Sequence, residues 1–159
     1  CARAVGEAAL AAGAGPLVVE GPVAPYADLA GGGRVVGVVE RHETLYLGGD
    51  DLAAALTLPP GHRSGVFAWP RGGGRAAGRD VTHSWYLRLW AWSDDDLLHG
   101  LIRVERTGVA DPAAEADRVS GWLLADRAPI AGPDPRWDRR LYPLHAVEAY
   151  LRAHAGGWR

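Results

Sequence analysis

Two carboxylates stand where an α/β protein could use them. Glu20 closes the apolar run Leu17-Val18-Val19 immediately before Gly21-Pro22. An acid there emerges at the carboxyl edge of a strand, where open α/β sheets place their sites. Glu7 lies on the segment before it and could face the same edge. Two such acids could share a divalent cation through oxygen ligands. Taken alone, an exposed acid at a strand terminus is the simpler reading of Glu20. The histidines, His42, His62, His83, His99, His145 and His154, show no metal-ligand spacing such as HExxH. His145 and Glu148 are three apart on an expected helix and can meet, most simply as a surface polar pair. There is no phosphate loop ending in Gly-Lys, no GxGxxG after a strand and no GxSxG elbow. Gly72-Gly73-Gly74 has neither the Lys nor the following helix of a phosphate loop.

The elements that would carry these residues alternate in period and length. Residues 2–12 favour helix through Ala, Leu and Glu. Leu17 to Glu20 reads as a short buried strand, residues 25–30 as a short helix, and Val35 to Val39 as a second apolar strand. The link of about 15 residues suggests parallel neighbours joined by a crossover. Asp50-Asp51 is expected to cap a helix over 52–56, ended by Pro59-Pro60. Residues 70–80 are the most loop-like stretch. Val81 to Trp92 and Leu97 to Arg106 then form an antiparallel hairpin with a polar tip at 93–96. Asp111-Pro112 opens a helix with Asp at the cap and Pro at the first position. Its apolar stripe is Ala116, Val119, Leu123 and Leu124, with Trp122 beside it. A Pro-rich connection over 128–141 leads to a last helix, Pro143 to His154. The order is βαβ, then a hairpin, then two helices, in one α/β domain covering 1–159.

Composition bounds the rest. All 17 basic residues are Arg, and Lys, Asn, Gln and Met are absent. The missing types are largely those with AT-rich codons, so the bias speaks of a GC-rich genome rather than of function. A net charge of −2 offers no global field for nucleic acid. Residues 61–106 nonetheless carry seven arginines against five acids, either a solvated surface or a phosphate-contacting stripe. No run approaches the roughly 20 apolar residues of a membrane helix, and no signal peptide pattern opens the chain. The single Cys fits a reducing compartment, so a soluble, cytoplasmic protein is expected. Cys1 is expected to be the first residue of a chain truncated at its N-terminal side.

Five segments, taken in order, resemble the C-terminal part of the NurA-type nucleases, the DNA end-processing partners of the HerA translocase. They are PLVVEGPVAPY (16–26), GRVVGVVERHETLYL (33–47), HSWYLRL (83–89), LIRVERT (101–107) and RRLYPLHAVEAYLR (139–152). Each is short, and the specificity lies in their order and spacing across nearly the whole chain. The resemblance implies an RNase H-like mixed sheet with flanking helices, a homodimer, and an Mn²⁺- or Mg²⁺-dependent nuclease working on DNA ends in double-strand-break repair. In that family, carboxylates hold the ion that activates water and stabilises the leaving oxygen.

Carried over by position, Glu20 stands at a metal-binding Asp and Glu7 at a metal-binding Glu on the preceding helix. A further catalytic Asp would belong to a strand upstream of Cys1. Tyr142 and Glu148 occupy the end motif's catalytic positions, and Arg88 and Arg103 on the hairpin are the candidates for DNA phosphates. Three positions depart from the pattern. Glu40 replaces a Lys, Arg140 stands where the first of two Tyr-Pro units would be, and Glu148 replaces a His. The alternatives are therefore an active or degenerate nuclease, a non-catalytic platform that binds a HerA-like hexameric ATPase, and an unrelated α/β domain.

Overall fold

The computed structural model describes residues 15–26, 34–70, 81–92 and 95–127. Glu7, Tyr142 and Glu148, with the expected helices over 2–12 and 143–154, lie outside them. The chain divides into two compact units, Cys1–Gly121 and Trp122–Arg159.

The two apolar runs form β1 (Leu17–Glu20) and β2 (Val35–Val39), and they pair in parallel as expected. The aromatic-rich run forms β4 (Val81–Arg88), and the returning run forms β5 (Leu101–Thr107). They are antiparallel partners from Thr82↔Thr107 to Arg88↔Leu101. Both strands are shorter at the tip than expected. There Leu101 N–H donates to Leu98 O and His99 N–H to Asp96 O, so residues 96–100 are consumed in turns.

The sequence gives no expectation of β3 (Phe67–Pro70), which pairs antiparallel with β4. Its line is extended by residues 61–64, whose main chain bonds that of Tyr86 and Arg88. Pro70 ends the strand, a position that Pro tolerates because its missing N–H is not needed in a central ladder. The sheet order is β1-β2-β5-β4-β3, with one parallel pair and three antiparallel pairs. Among the described residues the architecture is thus α/β, a five-stranded mixed sheet with two α-helices.

Helix α1 (Gly49–Leu56) begins at Gly48, whose lack of a side chain leaves the cap without a side-chain bond. Asp50 and Asp51 sit inside the first turn instead of capping it, where their charge still favours the positive helix end. Helix α2 (Pro112–Asp126) begins as expected. Asp111 Oδ1 accepts from the N–H groups of Ala113 and Ala114, each at 3.1 Å.

Register sorts the residues onto two faces, because paired residues project to the same side. Glu20, Val38, Val104 and Trp85 form one row. Val19, Gly37, Glu105, Ser84 and Phe67 form the adjacent row on the opposite face. The first face is covered by the start of α2. Trp85 Nε1–H donates to Ser120 Oγ at 2.9 Å, Arg106 pairs with Glu115 at 2.6 Å, and Ala116 and Val119 are buried.

The second face is covered from two ends. At one end Val23 and Val35 pack with Leu17, Val19 and Tyr26. At the other Ala55, Tyr86 and Leu101 pack with Leu45, Leu56, Leu58 and Phe67. Among the described residues no helix is long and apolar enough to cross a membrane.

Candidate functional site

Gly37, in the middle of Val-Val-Gly-Val-Val, decides what lies at the centre of the second face. After β1 the chain turns at Gly21, whose φ of 97° suits glycine, and crosses over β2 at Gly37. A Cβ at Gly37 would lie 2.8 Å from Val23 N and 2.9 Å from Gly21 O, both main-chain atoms that cannot swing aside. The notch lets the Val23 N–H reach the residue opposite Gly37 on β5, which is Glu105. Val23 N–H donates to Glu105 Oε2 at 3.0 Å, and Arg103 Nε–H donates to Glu105 Oε1 at 2.9 Å. The Glu105 side chain is 3% exposed and that of Arg103 5%. A carboxylate this deep requires a cation and a donor, and it has both.

The loop from β2 to α1 lies over the same pair. Arg103 Nη1 donates to Thr44 O at 3.0 Å, and its guanidinium carbon lies 4.4 Å from the centre of the Tyr46 ring. The Tyr46 N–H donates to the Tyr86 hydroxyl at 3.3 Å, and Tyr46 stands edge-on to Trp69 of β3. His42 Nε2 is 2.9 Å from Leu101 O, so Nε2 carries the proton in that contact. Its pKa is held below the ordinary 6.5, chiefly because burial disfavours the imidazolium. The Leu101 hydrogen bond opposes that shift, while Arg103 and Arg88 reinforce it by repulsion.

Neither Arg88 nor Arg103 is open to solvent. Arg88 is fully buried. Its Nη2 donates to Leu56 O at 2.6 Å and Leu97 O at 2.9 Å, and its Nη1 donates to His99 O. The guanidinium thereby ties the end of α1 to the turn before β5. Its carbon also lies 5.5 Å from the ring centre of Trp92. Arg103 is committed to Glu105 and Thr44 as above. The expectation that Arg88 and Arg103 line a DNA surface is therefore corrected to two internal cations under aromatic rings. The physical reason is register, since both side chains project from the hairpin face that α1 and the Tyr46 loop cover.

Glu20 falls on the other face and is exposed, one row away from Glu105 but pointing the opposite way. Among the described residues no three His, Cys, Asp or Glu side chains gather to hold a metal. An Mn²⁺ or Mg²⁺ ion takes about six oxygen ligands, only some of them water. One strand-end carboxylate supplies only part of such a shell, and the described residues alone do not make the site.

A cleft of about 420 Å³ opens beside the start of α2, lined by Arg106, Val109, Asp111, Glu115 and Arg118. Its charges serve one another. Glu115 takes Arg106 and Arg118, and Asp111 caps the helix.

Sequence reasoning missed Glu105 and His42 as members of a buried polar centre. The available signals were the Gly interrupting Val35–Val39 and the alternating charges of Leu-Ile-Arg-Val-Glu-Arg-Thr, which place Arg103 and Glu105 on one side of a strand. No protein-family model matches the chain, and no curated protein matches it.

Proposed function

We propose that the chain is part of a NurA-like, metal-dependent DNA nuclease on an RNase H-like sheet, acting at DNA ends in double-strand-break repair. It would work in the cytoplasm as a homodimer with a HerA-like hexameric ATPase. The sequence resemblance supports this reading, and the five-stranded mixed α/β sheet is compatible with it. The observation that carries it is the placement of Glu20. It is an exposed carboxylate at the carboxyl end of β1, the outer member of the parallel pair, with no ion pair to another described residue. The Mn²⁺ or Mg²⁺ implied by the resemblance would take its remaining ligands, Glu7 among them, from outside the described residues. Tyr142 and Glu148 keep the catalytic roles that the resemblance implies for them.

The test is Glu20→Gln in the full-length protein, which keeps the shape and removes the charge. Mn²⁺ binding by calorimetry and cleavage of linear DNA should both be lost, while the melting temperature without metal changes little. Unchanged Mn²⁺ affinity would reduce Glu20 to a strand-end acid.

A specific observation favours a second reading, a non-catalytic platform for the same translocase. Glu105, the buried carboxylate of the described sheet, is neutralised by Arg103 and bonded to Val23, so it is not free to bind a cation. Co-elution of Glu20→Gln with the ATPase, together with unchanged metal affinity, would select the platform.

A further inference from the structure

The segment between β2 and α1, residues 40–48, has no regular secondary structure and lies over the hairpin as a strap. Its residues are exposed except at 42, 45 and 47, which are half-buried. Hydrogen bonds from His42 Nε2–H to Leu101 O, from Arg103 Nη1–H to Thr44 O and from Tyr46 N–H to the Tyr86 hydroxyl tie it down, and each of them uses a side chain. Leu45 and Leu47 add apolar contact with the cluster of Ala55, Tyr86 and Leu101. A segment with few buried side chains and an exposed main chain opens at less cost than the strands beneath it.

One of these ties is sensitive to acid. With the proton on Nε2, the buried Nδ1 of His42 is an acceptor to which no described group donates. A second proton would make it a buried donor with no acceptor. The ring is faced by Tyr86 of β4, its ring centre 5.7 Å away, and by Leu101 O of β5, with Arg88 and Arg103 as the nearby charges. Both charges are positive and repel an imidazolium. Glu105 is committed to Arg103 and Val23. On the strap itself Glu40, Arg41 and Glu43 are exposed. The imidazolium is therefore better hydrated with the strap swung out.

We propose that residues 40–48 are an acid-released strap, triggered by protonation of His42, which covers the Arg103–Glu105 centre at neutral pH and uncovers it below. In the open strap the imidazole titrates near its ordinary 6.5. The open population then grows as the pH falls through that value, by up to about tenfold per unit. The strap acts independently of the metal chemistry proposed for Glu20.

Amide exchange followed by NMR in the full-length protein, corrected for the intrinsic pH dependence of exchange, reads the opening. The Tyr46 N–H is the reporter, and the Arg88 and Leu89 N–H groups, bonded to His62 O and Gly100 O, are the references. Between pH 7.5 and 5.5 the Tyr46 opening constant should rise about tenfold while the references hold steady. His42→Gln keeps an N–H toward Leu101 and cannot titrate, so its Tyr46 opening should not respond to pH. No rise at Tyr46, an equal rise at the references, or the same acid response in a folded His42→Gln would each overturn the strap. The His42 ring resonances of the parent give a second reading that does not depend on the variant. They should titrate below 6.5, and a ring that protonates at or above that value while Tyr46 stays protected would overturn the proposal as well.

Discussion

Strand β1 reads Leu-Val-Val-Glu and alternates between half-buried and exposed, with Val18 52% exposed. Strand β5 reads Leu-Ile-Arg-Val-Glu-Arg-Thr and is buried at all seven positions. The more apolar strand is the more exposed one, and the strand with three charged residues is the centre of the sheet. Position in the sheet decides this. β1 has a neighbour on one side among the described strands, whereas β5 lies between β2 and β4 with elements over both faces. The charges of β5 are tolerated because each meets a counter-charge or carbonyl in the tertiary structure. Arg103 meets Glu105 and Thr44, and Arg106 meets Glu115.

The hardest blow to that centre is expected from Arg88→Ala on the neighbouring strand β4. It strands the carbonyls of Leu56, Leu97 and His99 in a dry site and opens a cavity, at a cost of about 3–5 kcal/mol. A urea midpoint within error of the parent would show that the arginine is not the tie between α1 and β5. Next comes Glu105→Ala, which leaves Arg103 buried without its carboxylate and frees the Val23 N–H, costing about 3 kcal/mol. The double replacement Arg103→Met with Glu105→Leu should recover much of that loss, since removing a buried pair together is far cheaper than removing one member. A double variant as unstable as the sum of the singles would contradict the pairing.

Acid should act on the same centre more gently. The His42 pKa lies below 6.5 in the fold, so the unfolded chain binds more protons as the pH falls through 6.5. Stability is then flat above that pH and declines below it. His83 shifts in the same direction through burial, so His42→Gln, which keeps an N–H toward Leu101, should reduce the slope without abolishing it. An identical pH–stability curve for the variant would place His42 outside the coupling. The smallest effect belongs to β1. Val18→Thr exchanges one exposed β-branched side chain for another and should shift stability by no more than about 0.5 kcal/mol. A larger loss in thermal denaturation would mean that β1 is covered after all, and the contrast with β5 would narrow.

Much of the skeleton was legible from residue types alone. The limits of β1 and β2, the parallel pairing, the β4–β5 hairpin and the Asp111 cap all follow from local rules, namely apolar runs closed by Gly and Pro, period-two alternation, and a side-chain acceptor before a helix. Those rules act over a few residues, so they survive in any context. Strand β3 escaped them because four residues ending in Pro carry too little pattern, and pairing with β4 supplies what propensity does not. The charged residues were the least legible. Whether Arg88 and Arg103 meet solvent or carbonyls, and whether Glu105 meets a cation or an N–H, depends on which segment crosses the hairpin. That segment is fixed by Gly37 and by the loop of Tyr46, contacts between residues dozens of positions apart. A side chain's chemistry can be read from its type, but its surroundings are set by long-range packing, and for an ionisable group the surroundings decide what the chemistry can do.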